Sequence, residues 1–219
     1  MIQKLRGVYK NSTIAVVGSS PTAQLYKGDC DISIAVNGAA LLGPRFNYFL
    51  CGDWKAPLRD WWTVDTADVR VIATLVSLMD YQLYPEDKFP GLERNAVPAH
   101  EAKKVSKQPP PIHPHLTFRY RSHKRGILND KNNFLMYRGT VSCCAAQLAF
   151  IMGCKHIKLY GCEFSGAKSN HYFYEANHIG SVRKTMIQVM DSVLGEIRNK
   201  GVRVTVYGKT NLTQFDQQL

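Results

Sequence analysis

The sequence has no apolar run long enough to cross a membrane as a helix, which takes about 18 to 20 consecutive apolar residues. Its first residues, MIQKLRGVYKNSTIAVVG, also lack the apolar core of a secretory signal. None of the six cysteines forms a CxxC pair, which excludes the common zinc spacings. Cys143 and Cys144 are adjacent inside an apolar run, and Cys30, Cys51, Cys154 and Cys162 fall at expected strand ends. That distribution fits buried free thiols in a reducing compartment rather than a disulfide framework. His113 and His115 stand in an HPH tripeptide without further ligands at fitting spacing, so no metal site is expected. The expected location is cytoplasmic, with attachment to the inner face of a membrane only through charge.

Acidic residues are scarce as well. Seventeen Asp and Glu face 28 Lys and Arg, giving a net charge of +11. Such an excess favours an anionic partner: a nucleotide, a phosphorylated glycan, nucleic acid or an acidic membrane surface. There is no internal repeat and no heptad pattern. The 45% hydrophobic content is ordinary for a chain of 219 residues with a proper core, so one domain over 1–219 is expected.

What the chain does contain is an alternation of short apolar runs and helical stretches. Ile14–Val17 is a continuous apolar run closed by Gly18, the pattern of a buried parallel strand. Gly18-Ser19-Ser20-Pro21-Thr22 follows, with Pro21 suited to the first turn of a helix. A strand, a glycine turn and a helix start together offer N–H groups to an anion, although GSSPT is neither GxGxxG nor a P-loop. Asp31–Val36 is a second strand, with Asn37 opening a short helix, and Phe46–Cys51 is a third, closing at Gly52-Asp53.

Residues 54–70 suggest a helix with an aromatic face, and 69–78 a further strand or helix. Residues 80–133 are rich in Pro, Lys, Arg and His, and are expected to be irregular. Within them Phe118, Arg119, Tyr120, Arg121, Lys124 and Arg125 interleave aromatic and basic side chains, a composition that suits phosphates, nucleic acid or a solvated loop.

Order returns with a helix from Thr140, a plausible N-cap, to Met152, capped by Gly153. The strand His156–Tyr160 then leads to Gly161-Cys162-Glu163. Residues 165–180 form a polar loop with aromatics, Ser181–Lys200 the longest helix, and Val202–Tyr207 the last strand. This succession predicts an α/β fold: a Rossmann-like open, mostly parallel sheet with helices on both faces.

Several of these segments occur together in a known family. A first strand ending in G-x-x-P, a second ending IAVNGA, a third ending in Asp53, a G-T-x-x-x-x-A helix before IKLYGCEF, and a final VTVYGKTNL resemble the bacterial sialyltransferases of glycosyltransferase family 42. They also resemble the related DUF115 group and pterin-pyrophosphokinase-type proteins. The resemblance covers about residues 12–79 and 135–212. It implies a GT-A-like variant of the Rossmann fold that binds a CMP-sugar without a metal or other cofactor.

On that resemblance, Gly18, Ser19, Ser20, Pro21 and Thr22 stand at the family's first nucleotide-binding turn, with Ser-Ser in place of Asn-Gly. Asn37 and Asp53 stand at its second and third nucleotide-binding positions. Gly139 and Thr140 stand at the turn opening the nucleotide-side helix. Glu163, followed by Ser165, replaces an Asp able to hold ribose hydroxyls. The family's general base implies His178, with His171 as second candidate, and its phosphate-binding tyrosines imply Tyr172 and Tyr174. An imidazole near neutral pKa can accept the proton of an acceptor hydroxyl.

The implied partners are a nucleotide-sugar donor and a glycan or other hydroxyl acceptor, with an anionic acceptor favoured by the charge. A homo-oligomer and membrane or nucleic-acid contact through the basic segment are also expected, with 165–180 as a short lid. Two other readings stay open: Mg²⁺-dependent diphosphate transfer with Asp53 and Glu163 as ligands, and a non-enzymatic nucleotide- or nucleic-acid-binding module.

Overall fold

A computed structural model describes residues 2–42, 46–51, 70–74, 116–121, 134–136, 140–164, 171–173, 175–179 and 184–219. The regular elements in chain order are β1 (Thr13–Val17), β2 (Ile32–Val36), β3 (Tyr48–Cys51), β4 (Arg70–Thr74), β5 (Leu116–Arg121) and β6 (Phe134–Met136). After these come α1 (Val141–Ile151), β7 (His156–Tyr160), β8 (His171–Tyr172), β9 (Glu175–Ile179), α2 (Lys184–Asn199), β10 (Arg203–Val206) and β11 (Gln217–Gln218). Three 3-10 turns, Ile2–Leu5, Pro21–Leu25 and Asn37–Leu42, are the remaining elements among the described residues.

Nine strands form one sheet in the order β11-β10-β7-β1-β2-β3-β4-β5-β6, and every pairing in it is parallel. The fold is thus the Rossmann-like open α/β sheet that the alternating sequence pattern implies. The chain winds outward from β1 to β6, then returns through α1 to lay β7 on the other side of β1. The order therefore reverses between β1 and β7, and open α/β sheets bind ligands outside the carboxyl ends of the strands at such a point.

Strands β1, β2, β3 and β7 each feed two cores, which explains their continuous apolar runs. Ile14, Val16, Ile34, Val36, Ile157, Leu159, Val204 and Val206 face α1 and α2. Ala15, Val17, Ala35, Phe49, Cys51 and Tyr160 face the 3-10 turns on the opposite side. Helix α1 is buried on nearly its whole circumference, with Ala145, Ala146 and Ala149 allowing close approach to the sheet. A helix apolar all round belongs between layers. Amphipathic α2 covers it, burying Met190, Val193, Leu194 and Ile197.

Among the described residues, then, both α-helices lie on one face and two short 3-10 turns on the other. The segments after Gly18 and after Asn37 are 3-10 turns rather than α-helices. At five and six residues they are too short for a stable α-helix.

Two further segments differ from their sequence reading. Leu116–Arg121, inside the stretch expected to be irregular, is β5, paired on both sides. Its alternation LTFRYR was masked by the surrounding Pro and Lys. Within the stretch read as a lid loop, β8 and β9 form an antiparallel hairpin.

Candidate functional site

The carboxyl ends of β1 and β7 meet through glycine. Gly18 donates its N–H to Tyr160 O at 2.7 Å. A Cβ on Gly18 would lie 2.3 Å from Gly161 O, and a Cβ on Gly161 would lie 2.6 Å from Gly18 O. No side chain fits on either residue. Gly161 also has φ +63°, which L-residues rarely adopt. The two glycines thus set how closely the strands approach where the winding reverses.

Around this contact the turn after β1 is stitched to its neighbours. Ser20 N–H donates to Gly161 O at 3.2 Å, and Gly161 N–H donates to Thr22 Oγ1 at 3.0 Å. Thr22 N–H donates to Glu163 Oε1 at 2.7 Å, and Ala23 N–H donates to Ser20 O at 2.9 Å. Ser19 Oγ donates to Val36 O at 3.2 Å, reaching the end of β2 beside Asn37. The N–H groups of Gly18, Ser20, Thr22 and Ala23, which suggest an anion cradle from sequence, are thus engaged within the protein. Pro21 has none.

Two buried acceptors stand out. Glu163 is 5% exposed; its Oε1 holds Thr22, while its Oε2 is buried and without a hydrogen-bond partner. Asn37, at φ +50°, likewise has a buried Oδ1 without a partner. A buried acceptor lacking a donor costs about 1–3 kcal/mol. The two residues close β2 and β7, the strands on either side of β1. A ligand group bearing hydroxyl or amino hydrogens would satisfy them.

The last loop braces Glu163 from behind. Thr210 Oγ1 donates to Glu163 O, Asn211 N–H to the same oxygen at 3.2 Å, and Asn211 Nδ2 to Phe164 O at 2.9 Å. Phe164 is held at φ +49°. Sequence reasoning located Thr210 and Asn211 after the last strand but gave them no role. Their contacts span 47 positions, and no local signal reveals them.

Thr140 is 7% exposed and occupies the N-cap of α1, but its side chain makes no capping bond. The Cys162 thiol lies near Gly18 and donates to Tyr160 O at 3.4 Å, and Ser142 in the first turn of α1 acts on it electrostatically. Burial pushes this thiol up to about 12, against a smaller lowering by Ser142, so it stays protonated.

The hairpin is tied to the site through its turn, where Phe173 N–H donates to Ser19 O at 3.0 Å. His171 and Tyr172 lie on β8 and His178 on β9, with His171 opposite Ile179 and Tyr172 opposite Glu175. His178 is therefore a strand residue, and the described part of α2 runs from Lys184. Asp53, Gly139, Ser165 and Tyr174 lie outside the described residues. The structure brings together Gly18, Ser19, Ser20, Pro21, Thr22, Asn37 and Glu163, with Thr140 on the adjoining helix.

No protein-family model matches the sequence, and no curated protein matches it. Among solved structures, the MAf glycosyltransferase from Magnetospirillum magneticum AMB-1 superposes with a TM-score of 0.52 at 10% identity. The likeness is one of fold. It takes in 100% of this chain and 37% of that one, so the chain spans little more than a third of that enzyme's length. Among the described residues no helix is long and apolar enough to cross a membrane.

Proposed function

We propose that this protein is a glycosyltransferase that moves a sugar, sialic-acid-like on the family resemblance, from a CMP-sugar donor to a hydroxyl acceptor. The reaction is inverting and needs no metal. One observation carries this reading: the buried, unpartnered Glu163 Oε2 and Asn37 Oδ1 across the point where the sheet order reverses. Two acceptors there suit the hydroxyls and amino group of a nucleoside, and the fold likeness to a glycosyltransferase agrees with it.

On this reading the donor phosphate sits at the start of α1 rather than at the Gly18 turn, where the N–H groups of Gly18, Ser20, Thr22 and Ala23 are engaged. The first N–H groups of a helix have no intrahelical partner, and Thr140 does not cap them with its side chain. On this reading His178, or His171 in its place, takes the proton from the acceptor hydroxyl as its oxygen attacks the anomeric carbon. The bond to phosphate breaks and CMP departs, with Tyr172 and Tyr174 donating hydrogen bonds to the leaving phosphate.

The test is thermal shift with CMP, UMP, GMP and their sugar conjugates, with and without Mg²⁺. CMP raises the melting temperature of the native protein. Glu163→Gln keeps an acceptor for Thr22 N–H but offers an NH₂ in place of the second oxygen, and it weakens binding about tenfold or more. His178→Ala abolishes transfer and leaves CMP binding intact. Absence of a shift with every nucleotide sinks the proposal, and a strict Mg²⁺ requirement transfers it to diphosphate chemistry.

A further inference from the structure

The pole of the sheet opposite the candidate site, where the strands begin, has a different chemistry. Residues 6–11 form a compact double turn, with Gly7 at φ +63° and Asn11 at φ +63°. Three backbone bonds fasten it to the end of α1: Gly7 N–H to Ile151 O, Tyr9 N–H to Met152 O and Asn11 N–H to Gly153 O, all within 3.1 Å. Lys155 N–H donates to Ser12 O, and Arg203 N–H donates to Lys155 O. The turn, the start of β7 and the start of β10 thus form one fixed rim.

Val8 projects from this rim at 52% exposure, between Arg6 and Lys10. Lys4, Lys10 and Lys155 are exposed alongside it, and the Lys10 stem lies over Gly7 and Gly153. Of the acidic side chains here, Asp31 accepts Thr13 N–H at 2.7 Å and Asp216 pairs with Arg198 at 2.8 Å. Lys200, one residue beyond α2, sits where a cation offsets the helix dipole.

We infer that this rim docks on an anionic lipid bilayer, Val8 entering the interface while Lys4, Lys10 and Lys155 meet lipid phosphates. Basic side chains near a bilayer are drawn to its negative surface potential, and an apolar tip adds a component that salt does not screen. The tip favours lipid over nucleic acid, whose backbone offers phosphate and sugar contacts to polar groups. Docked this way, the carboxyl-end crevice faces away from the membrane. The inference is independent of the proposed activity and of the basic segment 80–133.

Sedimentation of the full chain with vesicles tests it, using phosphatidylcholine alone and phosphatidylcholine mixed with phosphatidylglycerol. Binding is expected to be far stronger to the anionic vesicles, with only a weak, salt-insensitive component on phosphatidylcholine alone. Lys10→Gln/Lys155→Gln lowers the partition coefficient about fivefold per lysine. Lys184→Gln/Lys209→Gln, which removes equal charge near the strand carboxyl ends, changes it far less. Val8→Ser abolishes the binding that persists at high salt. All these residues are exposed, so melting temperatures should match the native protein. Equal losses in both double variants, equal binding to neutral vesicles, or binding to RNA or DNA but not to vesicles would each overturn the inference.

Discussion

At the scale of single residues, Gly18 and Gly161 carry the closest backbone-to-backbone packing in the site. Gly18→Ala drives a methyl into a backbone carbonyl that cannot rotate away, and Gly161→Ala adds strain at φ +63°. Each is expected to destabilise by about 1–3 kcal/mol or more, lowering the melting temperature by about 2–4 °C per kcal/mol. Differential scanning fluorimetry checks this. His156 gives a pH dependence. Burial first, then the Arg203, Lys158 and Lys155 charges, hold its imidazole below the ordinary 6.5. Its Nε2 lies 2.9 Å from Thr205 Oγ1. The unfolded chain therefore takes up the proton first as pH falls. Stability is full above about 6.5 and declines below it as pH falls toward the lower folded value. Urea melts from pH 7.5 to 5 should lose part of that slope in His156→Gln.

At the scale of elements, α2 shows how sequence becomes packing. Its apolar residues recur on one face, and the structure buries Met190, Val193, Leu194 and Ile197 completely while Lys184 and Gln188 stay exposed. Leu194→Ala should cost about 2–5 kcal/mol and Gln188→Ala almost nothing, a contrast that urea denaturation resolves. The strands β1, β2, β7 and β10 and the helices α1 and α2 were all legible as apolar runs of fitting length and period. The 3-10 turns were not distinguishable from short helices, because one turn of either has the same pattern. Strand β5 was hidden because its alternation, LTFRYR, sits inside a stretch rich in Pro, Lys, Arg and His that reads as irregular. The β8–β9 hairpin was hidden because β8 has only two residues and β9, EANHI, has neither an apolar run nor a strict alternation.

At the scale of the whole molecule, all six cysteines are free. Burial pushes Cys143, Cys154 and Cys162 up to about 12 and Cys30 up to about 11. The native protein should therefore react slowly with a thiol reagent at pH 8, and denaturation should release all six thiols at once. By itself the sequence determined the parallel α/β class, since continuous apolar strands separated by helices leave few other ways to bury both faces. It also marked Asn37 and Glu163 as strand-end positions. Tertiary structure alone decided that Glu163 holds Thr22 across 141 positions, that Gly18, Ser20, Thr22 and Ala23 give their N–H groups to the protein, and that Val8 stands out from a basic rim. These depend on which strands become neighbours when the winding reverses at β1. That outcome is set by long-range packing and leaves no local pattern in the chain.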